Sequence, residues 1–399
     1  MMLQQSYSNL ARFGFYVDKT EQIYNLIRSR CTLLVRPRKF GKSLLLSTLK
    51  ELFEGHRELF TNTFIGRSDY DFKPYTVLTF NFHFDVTSAS ELALILKETV
   101  REKAAMLGVS ITKEKPDEMF QELVDGIKGE VVVLVDNYDF VLADNISNPD
   151  VEKIDQVLSR FIAVLNNQDR FRFVFLTGIN HFLLCDGGYG QVLDYEDYTN
   201  RSEVATICGF SQMDLEIHYI NKMMNLSTMN YVRAHGIDQL MQSGFSGSTL
   251  SQMYSDYLSQ KKQNAEDLIR LIMNTVGGYS FSSKKTNMAS AGFILDFMRG
   301  NGAFNLNYDI RCARGYIIQK LCSPLFNLED YIDHPLDPEI SCGPHYSYKP
   351  QLGSLLLHNG ILTLKDLIMD EDSIQCVLKV PNLEIRNFLD KRMAKAKAN

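Results

Sequence analysis

Gly41, Lys42 and Ser43 follow a basic loop, Arg36-Pro37-Arg38-Lys39-Phe40, and precede the run Leu44-Leu45-Leu46. A glycine, a lysine and a hydroxyl in this order at the start of a helix can hold a polyphosphate. Such a ligand needs successive backbone N–H groups, and glycine lets the backbone approach closely. In that chemistry Lys42 reaches the β and γ phosphates of a nucleoside triphosphate, Ser43 ligates Mg²⁺, and the helix N-terminus adds a favourable dipole. The metal's water shell needs a carboxylate, and Asp136 closes the apolar run Val131–Val135. The candidate binding residues are therefore Arg36, Pro37, Arg38, Lys39, Phe40, Gly41, Lys42, Ser43 and Leu44, with Ser43 and Asp136 on the metal. The usual spacing, G-x-x-x-x-G-K-[ST], is met in its second half only, because Arg36 stands at the first glycine position.

Turnover asks for more than holding. After the metal-binding Asp, a hydrolytic site presents an acid that orients or activates water. Asn137 stands there and cannot take a proton. Asp139 either takes over that task or caps the segment that follows. Thr177, at the end of Phe173–Leu176, either senses the γ phosphate or merely ends a strand before Gly178. With Lys42 these are the catalytic candidates. Arg201 reads as a trans-acting finger in an oligomer or as a solvated loop arginine. The residues favour binding of a nucleoside triphosphate over its consumption, with hydrolysis slow or absent.

Several elements must position these groups. Asp18 can cap a helix over Lys19–Ser29, with Glu21 closing a capping box. A strand over Thr32–Val35 leads into the loop, and a helix over Ser43–Glu54 carries Leu45, Leu49 and Leu52 on one face, with Gly55 to stop it. Val77–Phe84 alternates as a half-buried strand, and His83 on its polar side reads as a surface residue. Residues 90–107, 117–128 and 151–167 read as helices. Val131–Val135 and Phe173–Leu176 read as buried parallel strands. Strand and helix in alternation predict an α/β fold with a mostly parallel sheet and helices on both faces. Ligands of such sheets sit at the carboxyl ends of strands, where Arg36–Lys42, Asp136 and Thr177 all fall.

The rest divides by texture. Residues 182–201 read as an irregular loop. Residues 211–298 are mainly helical, broken at 243–251 and 277–285. The expected domains are an ATPase-like unit over 1–210, a helical lid over 211–300 and a winged-helix-like region over 301–399. In the last, a helix ends near His358, Asn359-Gly360 turns, and strands Ile361–Lys365 and Cys376–Val380 flank the acidic Asp370-Glu371-Asp372. Pro381 opens a final helix with a frayed basic tail.

The bulk properties are those of a soluble globular chain: 399 residues, 45% hydrophobic, 23% charged, net charge -6. That balance argues against a protein that coats nucleic acid over its whole surface. No stretch approaches the roughly 20 apolar residues of a membrane span, and the N-terminus has no secretory pattern. Seven scattered cysteines without a CxxC pair read as reduced thiols in a cytoplasmic protein, not as a disulfide framework or a zinc site.

VRPRKFGKSLLLSTLKELFEG resembles the phosphate loop of the AAA-ATPase-like family, whose members often read SRPRRFGKSLLLSTL. In the same order along the chain, FYVDKTEQI, VVVLVDNYD, FVFLTGIN, ATICGFSQMDLE, GGYSF, LLLHNGILTLK and VPNLEIR are similar to segments of that family. The resemblance runs from about residue 15 to residue 389. It implies a P-loop fold, ATP as the nucleotide and a normal role for Arg36, since the family itself has arginine there. The family's acid after the strand-end Asp is Asn137 here. Relatives often continue into a PD-(D/E)xK nuclease-like domain, and no nuclease activity is expected of these residues.

Three functions compete. The first is a switch in which ATP and Mg²⁺ close the lid and reset the C-terminal region, acting on a protein partner and able to oligomerise. The second is a DNA-binding regulatory module, disfavoured because the acidic residues 370–372 would be repelled by phosphates. The third is an interaction scaffold with a vestigial nucleotide site.

Overall fold

The computed structural model describes residues 6–12, 16–167, 169–184, 193–235, 250–299, 308, 310, 313–337, 343–369 and 374–398. Strands β1 (Cys31–Val35), β2 (Thr76–Asn81), β3 (Val131–Asp136), β4 (Phe171–Gly178) and β5 (Glu196–Asp197) form a five-stranded sheet in the order β2-β3-β4-β1-β5. Every pairing in it is parallel. Val131, Val133 and Val135 of β3 belong to one hydrophobic core, and Val132 and Leu134 to another on the opposite face. Burial on both faces is why this run has no polar alternation.

Helices Ala89–Leu107, Pro116–Gly126 and Val151–Ala163 supply Leu96, Phe120 and Phe161 to the first core. The rings of Phe120 and Phe161 stack there with centroids 4.7 Å apart. Helix Lys42–Phe53 covers the second face with Leu45, Leu49 and Leu52. Leu49 is fully buried, so its truncation to alanine costs about 2–5 kcal/mol. The sheet fixes where β1 and β3 end, and those ends carry the loop and Asp136.

Several boundaries differ from the sequence reading for local reasons. β2 stops at Asn81, short of Phe84, because the Asn81 side-chain oxygen accepts the His83 N–H at 3.1 Å and closes a turn. The His83 ring then lies against Phe140, centroids 3.9 Å apart. The first expected helix spans Thr20–Leu26 only. Asp18 accepts the N–H groups of Thr20 at 2.9 Å and Phe64 at 2.7 Å, tying two segments together instead of closing a box with Glu21. β5 lies inside the stretch read as irregular. A two-residue edge strand gives no periodicity to detect.

Helices Gln212–His235 and Leu250–Val276 pack on each other and are followed by helix Ala291–Arg299. Nearly all of the expected break at 243–251 lies outside the described residues. Thr363–Met369 and Ile374–Lys379 pair as an antiparallel hairpin, and Pro335–Leu336 adds an unanticipated third strand. Asp370, Glu371 and Asp372 lie outside the described residues. The last helix, Leu383–Ala398, continues through the stretch read as frayed. Cys31, Cys208 and Cys322 are free, but Cys376 is disulfide-bonded, which corrects the expectation that all seven thiols are reduced. Among the described residues, no helix is long and apolar enough to cross a membrane.

Candidate functional site

The loop after β1 turns into helix Lys42–Phe53 through two left-handed residues, Lys39 at φ 65° and Gly41 at φ 101°. A side chain at 41 would meet little there, its nearest neighbour being Ala291 Cβ at 4.0 Å. Glycine is therefore required by the backbone angle and not by space.

Five of the loop's carbonyls, those of Arg36, Pro37, Lys39, Phe40 and Gly41, accept hydrogen bonds. Lys42 Nζ donates to Arg36 O at 2.9 Å and Pro37 O at 3.1 Å. Lys39 O accepts from Gly292 N–H at 2.8 Å and Ser290 Oγ at 3.1 Å. Phe40 O accepts from Gly209 N–H at 2.8 Å, and Gly41 O from Leu45 N–H at 3.0 Å. The acceptors are thus bonded into the protein, and the first-turn N–H groups of the helix have no acceptor within their own helix. A helix N-terminus whose first N–H groups have no acceptor in their own helix, with a lysine beside it, suits an anion.

Ser43 is exposed, and its Oγ donates to Asp136 Oδ2 at 2.7 Å. Asp136 Oδ1 is buried and has no hydrogen-bond partner. A hydroxyl oxygen and a carboxylate with an unsatisfied oxygen suit a hard cation such as Mg²⁺. The loop and Asp136, 93 positions apart, are therefore brought together as the sequence reading expects.

Other candidates point elsewhere. The Arg36 side chain is 1% exposed and turned away from the helix N-terminus. Its guanidinium donates to Val35 O at 2.8 Å, Thr199 O at 2.7 Å and Val204 O at 3.2 Å, and lies 4.4 Å from the centre of the Phe281 ring. Burial lowers its pKa to about 10, so it remains a cation at neutral pH. It braces the start of the loop against the segment after β5. The Asp139 carboxylate accepts Ile179 N–H at 3.1 Å, Asn180 N–H at 2.6 Å and Asn180 Nδ2 at 2.9 Å. It neither caps the helix that follows nor joins the Ser43–Asp136 pair. Burial raises its pKa, opposed by the Asn180 and Ile179 N–H groups and by Lys42. Gly178 makes room for it, since a Cβ there would lie 2.2 Å from Asp139 Oδ1. Thr177 Oγ1 is buried and donates to Leu34 O at 2.7 Å. Arg201 pairs with Glu196 at 2.9 Å and lies over Tyr198. Neither Asp139, Thr177 nor Arg201 has its polar atoms at the loop.

Asn137 sits at φ 57°, a left-handed position that asparagine tolerates better than glutamate. Its Nδ2 donates to Asn81 Oδ1 at 2.9 Å. The amide thus faces the end of β2. Lys39 Nζ bonds Asp296 of helix Ala291–Arg299 at 3.1 Å, Phe40 is buried against Tyr279 and Phe281, and Arg38 and Leu44 are partly exposed. A cleft of about 690 Å³ lined by Thr76, Gly108, Asp125 and Lys128 lies at the amino ends of the strands and contains none of these residues. Position decides for the loop, at the carboxyl ends.

Comparison with known proteins bears on this arrangement. Residues 4–186 match the model of the AAA-ATPase-like family, described as Predicted AAA-ATPase. That match covers somewhat less than half of the chain. The match includes the loop, Asp136, Asn137 and Thr177, and stops before Gly209, Tyr279, Ser290 and Gly292, which hold the loop from outside it. An "Uncharacterized protein in vnfD 5'region" of Azotobacter chroococcum mcd 1 is 31% identical over 221 residues, 53% of this chain. The match covers 42% of that relative, so the chain spans less than half of its length. The Aeropyrum pernix ORC1 protein, solved in complex with DNA, aligns over 99% of this chain and 98% of its own at 12% identity and TM-score 0.28. A likeness that weak carries no argument about fold or partner.

Proposed function

We propose that the chain is an ATP-binding switch with slow or absent hydrolysis. The observation that carries this reading is the division of labour at the site. Loop carbonyls are tied into the protein, Lys42 stands beside the helix N-terminus, and Ser43 meets an Asp136 with one unsatisfied oxygen. Lys42 would leave the carbonyls of Arg36 and Pro37 for the β and γ phosphates, whose charge outcompetes two neutral acceptors. Mg²⁺, when bound, would neutralise phosphate charge. Ser43 and Asp136 would hold it, and Lys39 and Phe40 would keep the loop in register. The helical region over 211–300 would act as a lid, since Gly292 and Ser290 already grip Lys39 O. A protein partner would read the C-terminal region over 301–399.

Asn137 in the acid's place accounts for slow turnover, because an amide cannot accept the proton of attacking water. A DNA-binding role draws no support from the C-terminal region. Helix Leu352–His358, the one ahead of the hairpin, is buried, with Leu355 and Leu356 at 0% exposure, and is not available to a groove.

The test is calorimetry of ATP with Mg²⁺ on wild type and Lys42→Ala. Wild-type binding in the micromolar range and a loss of about 100-fold or more in Lys42→Ala are expected, on the order of one charge-assisted contact. Equal affinity in the two proteins would sink the site.

A further inference from the structure

The turn His358-Asn359-Gly360 lies more than 170 residues beyond the end of the family match, yet it touches both the loop after β1 and the segment after β4. Gly360, at φ 80°, approaches the loop so closely that a Cβ there would lie 3.1 Å from Pro37 Cβ. Tyr279 Oη donates to Gly360 O at 3.1 Å and keeps the turn against the loop. Pro37 is buried, and its carbonyl is one of the two that receive Lys42 Nζ. Proline has a fixed φ, so a shift of its ring carries the carbonyl with it.

The neighbouring residue reaches the other half. Asn359 Nδ2 donates to Asn180 Oδ1 at 2.9 Å and to Leu355 O at 3.0 Å. Asn180 in turn gives its N–H and its Nδ2 to Asp139 Oδ2. Asn180 is 0% and Asn359 6% exposed, so water cannot replace these bonds cheaply. The turn leads directly into strand Thr363–Met369, and Thr363 Oγ1 exchanges hydrogen bonds with the Ser280 backbone at 2.9 Å and 3.1 Å. One turn therefore supports the loop after β1 through Gly360 and the segment after β4 through Asn359.

We infer that Asn359 and Gly360 are positioning residues of the nucleotide loop, so that the site is completed by the C-terminal region and not by the matched domain alone. The inference rests on the loop being the nucleotide site, and it deepens that reading. It gives the C-terminal hairpin a direct route to feel a ligand at the loop. When Lys42 leaves Pro37 O, the restraint on Pro37 changes, and Gly360 is the residue packed against it.

The experiment uses the full chain. Asn359→Ala removes both side-chain bonds, and Gly360→Ala forces a Cβ onto Pro37 at a left-handed position. Two readouts are taken: amide hydrogen exchange of residues 36–44 without nucleotide, and affinity for ATP with Mg²⁺. Both variants are expected to speed exchange in 36–44 and to weaken ATP by about tenfold. Lys365→Ala, which removes only an exposed ion pair to Asp333 in the same hairpin, is expected to change neither. Tyr279→Phe drops one bond to the turn and keeps the ring, so it serves if the stronger variants do not fold, with a smaller effect of the same sign. Wild-type exchange across 36–44 in the folded variants overturns the inference, whatever the ATP result. Faster exchange in a protein that never binds ATP leaves the positioning intact and refutes the nucleotide reading instead.

Discussion

The loop Arg36–Ser43 and the turn Asp136–Asp139 meet across one hydrogen bond, Ser43 Oγ to Asp136 Oδ2 at 2.7 Å, and are built on opposite plans. In the loop the carbonyls of Arg36, Pro37, Lys39, Phe40 and Gly41 are bonded inward, and the first N–H groups of the helix have no acceptor in their own helix. In the turn the group that could take a proton is bonded inward. Both Asp139 oxygens hold N–H groups of the segment after β4, and the Asn137 amide is turned to Asn81. Among the buried side-chain atoms described in this turn, Asp136 Oδ1 has no partner. On the proposed reading the loop would hold an anion, and the turn would offer a metal ligand without a base. Holding and consuming a nucleotide are separable requirements, and the two regions divide along that line.

The largest expected effect tests whether the loop is held by its own scaffold. Arg36→Met removes a buried cation and leaves the carbonyls of Thr199 and Val204 without their donor. A loss of about 2–4 kcal/mol in urea unfolding is expected, since each buried carbonyl left without a donor costs about 1–3 kcal/mol. A variant within about 0.5 kcal/mol of wild type would mean that the brace is dispensable.

Acid should loosen the turn side before the loop side. His345 N–H donates to His181 O at 3.1 Å, and His345 O accepts Leu183 N–H at 2.9 Å, so residue 345 straps the segment after β4. His181, His358, Tyr195 and Asp197 are titratable groups of the same cluster. Burial pulls His345 from its ordinary value near 6.5 to about 4. Between those values the unfolded chain binds the proton and the folded chain does not. The stability present above pH 6.5 is therefore lost as the pH falls toward 4, about 3 kcal/mol for this residue. His345→Phe should flatten that part of the stability curve, and an unchanged pH dependence would assign the acid sensitivity to other groups.

The absence of a base can be reversed. Asn137→Asp restores an acid that tolerates φ 57°, where glutamate would be strained. Phosphate release is expected to rise by about 100-fold, the lower end of what a positioned general base supplies. Brisk wild-type release that Asn137→Asp does not raise would erase the contrast between loop and turn.

These two regions were unequally legible in the sequence. The loop, Asp136 and the strands that end there follow from Gly41-Lys42-Ser43, the valine run and the strand–helix alternation, because periodicity and local turn chemistry decide them. The directions of Asp139, Thr177 and Arg36 did not follow. Each is set by a partner far along the chain: Asn180 for Asp139, Leu34 for Thr177, Thr199 and Val204 for Arg36. The segments GGYSF and LLLHNGILTLK stood out by resemblance, but nothing local says that Tyr279 and Gly360 pack against Phe40 and Pro37. β5 and the Pro335–Leu336 strand were invisible because two residues carry no period.

The smallest effect is the most specific. If Thr177 were a γ-phosphate sensor, Thr177→Val would bring ATP affinity down toward that for ADP. Its Oγ1 instead donates to Leu34 O at 2.7 Å in a fully buried setting between β4 and β1. Valine keeps the shape and loses the donor, which leaves one carbonyl oxygen short of a bond. A cost of about 1 kcal/mol in stability is expected, with the ratio of ATP to ADP affinity unchanged. A selective loss of ATP binding without loss of stability would show the hydroxyl leaving Leu34 for the ligand. The turn side would then do more than the proposed metal binding, and the contrast with the loop would narrow to Asn137 alone.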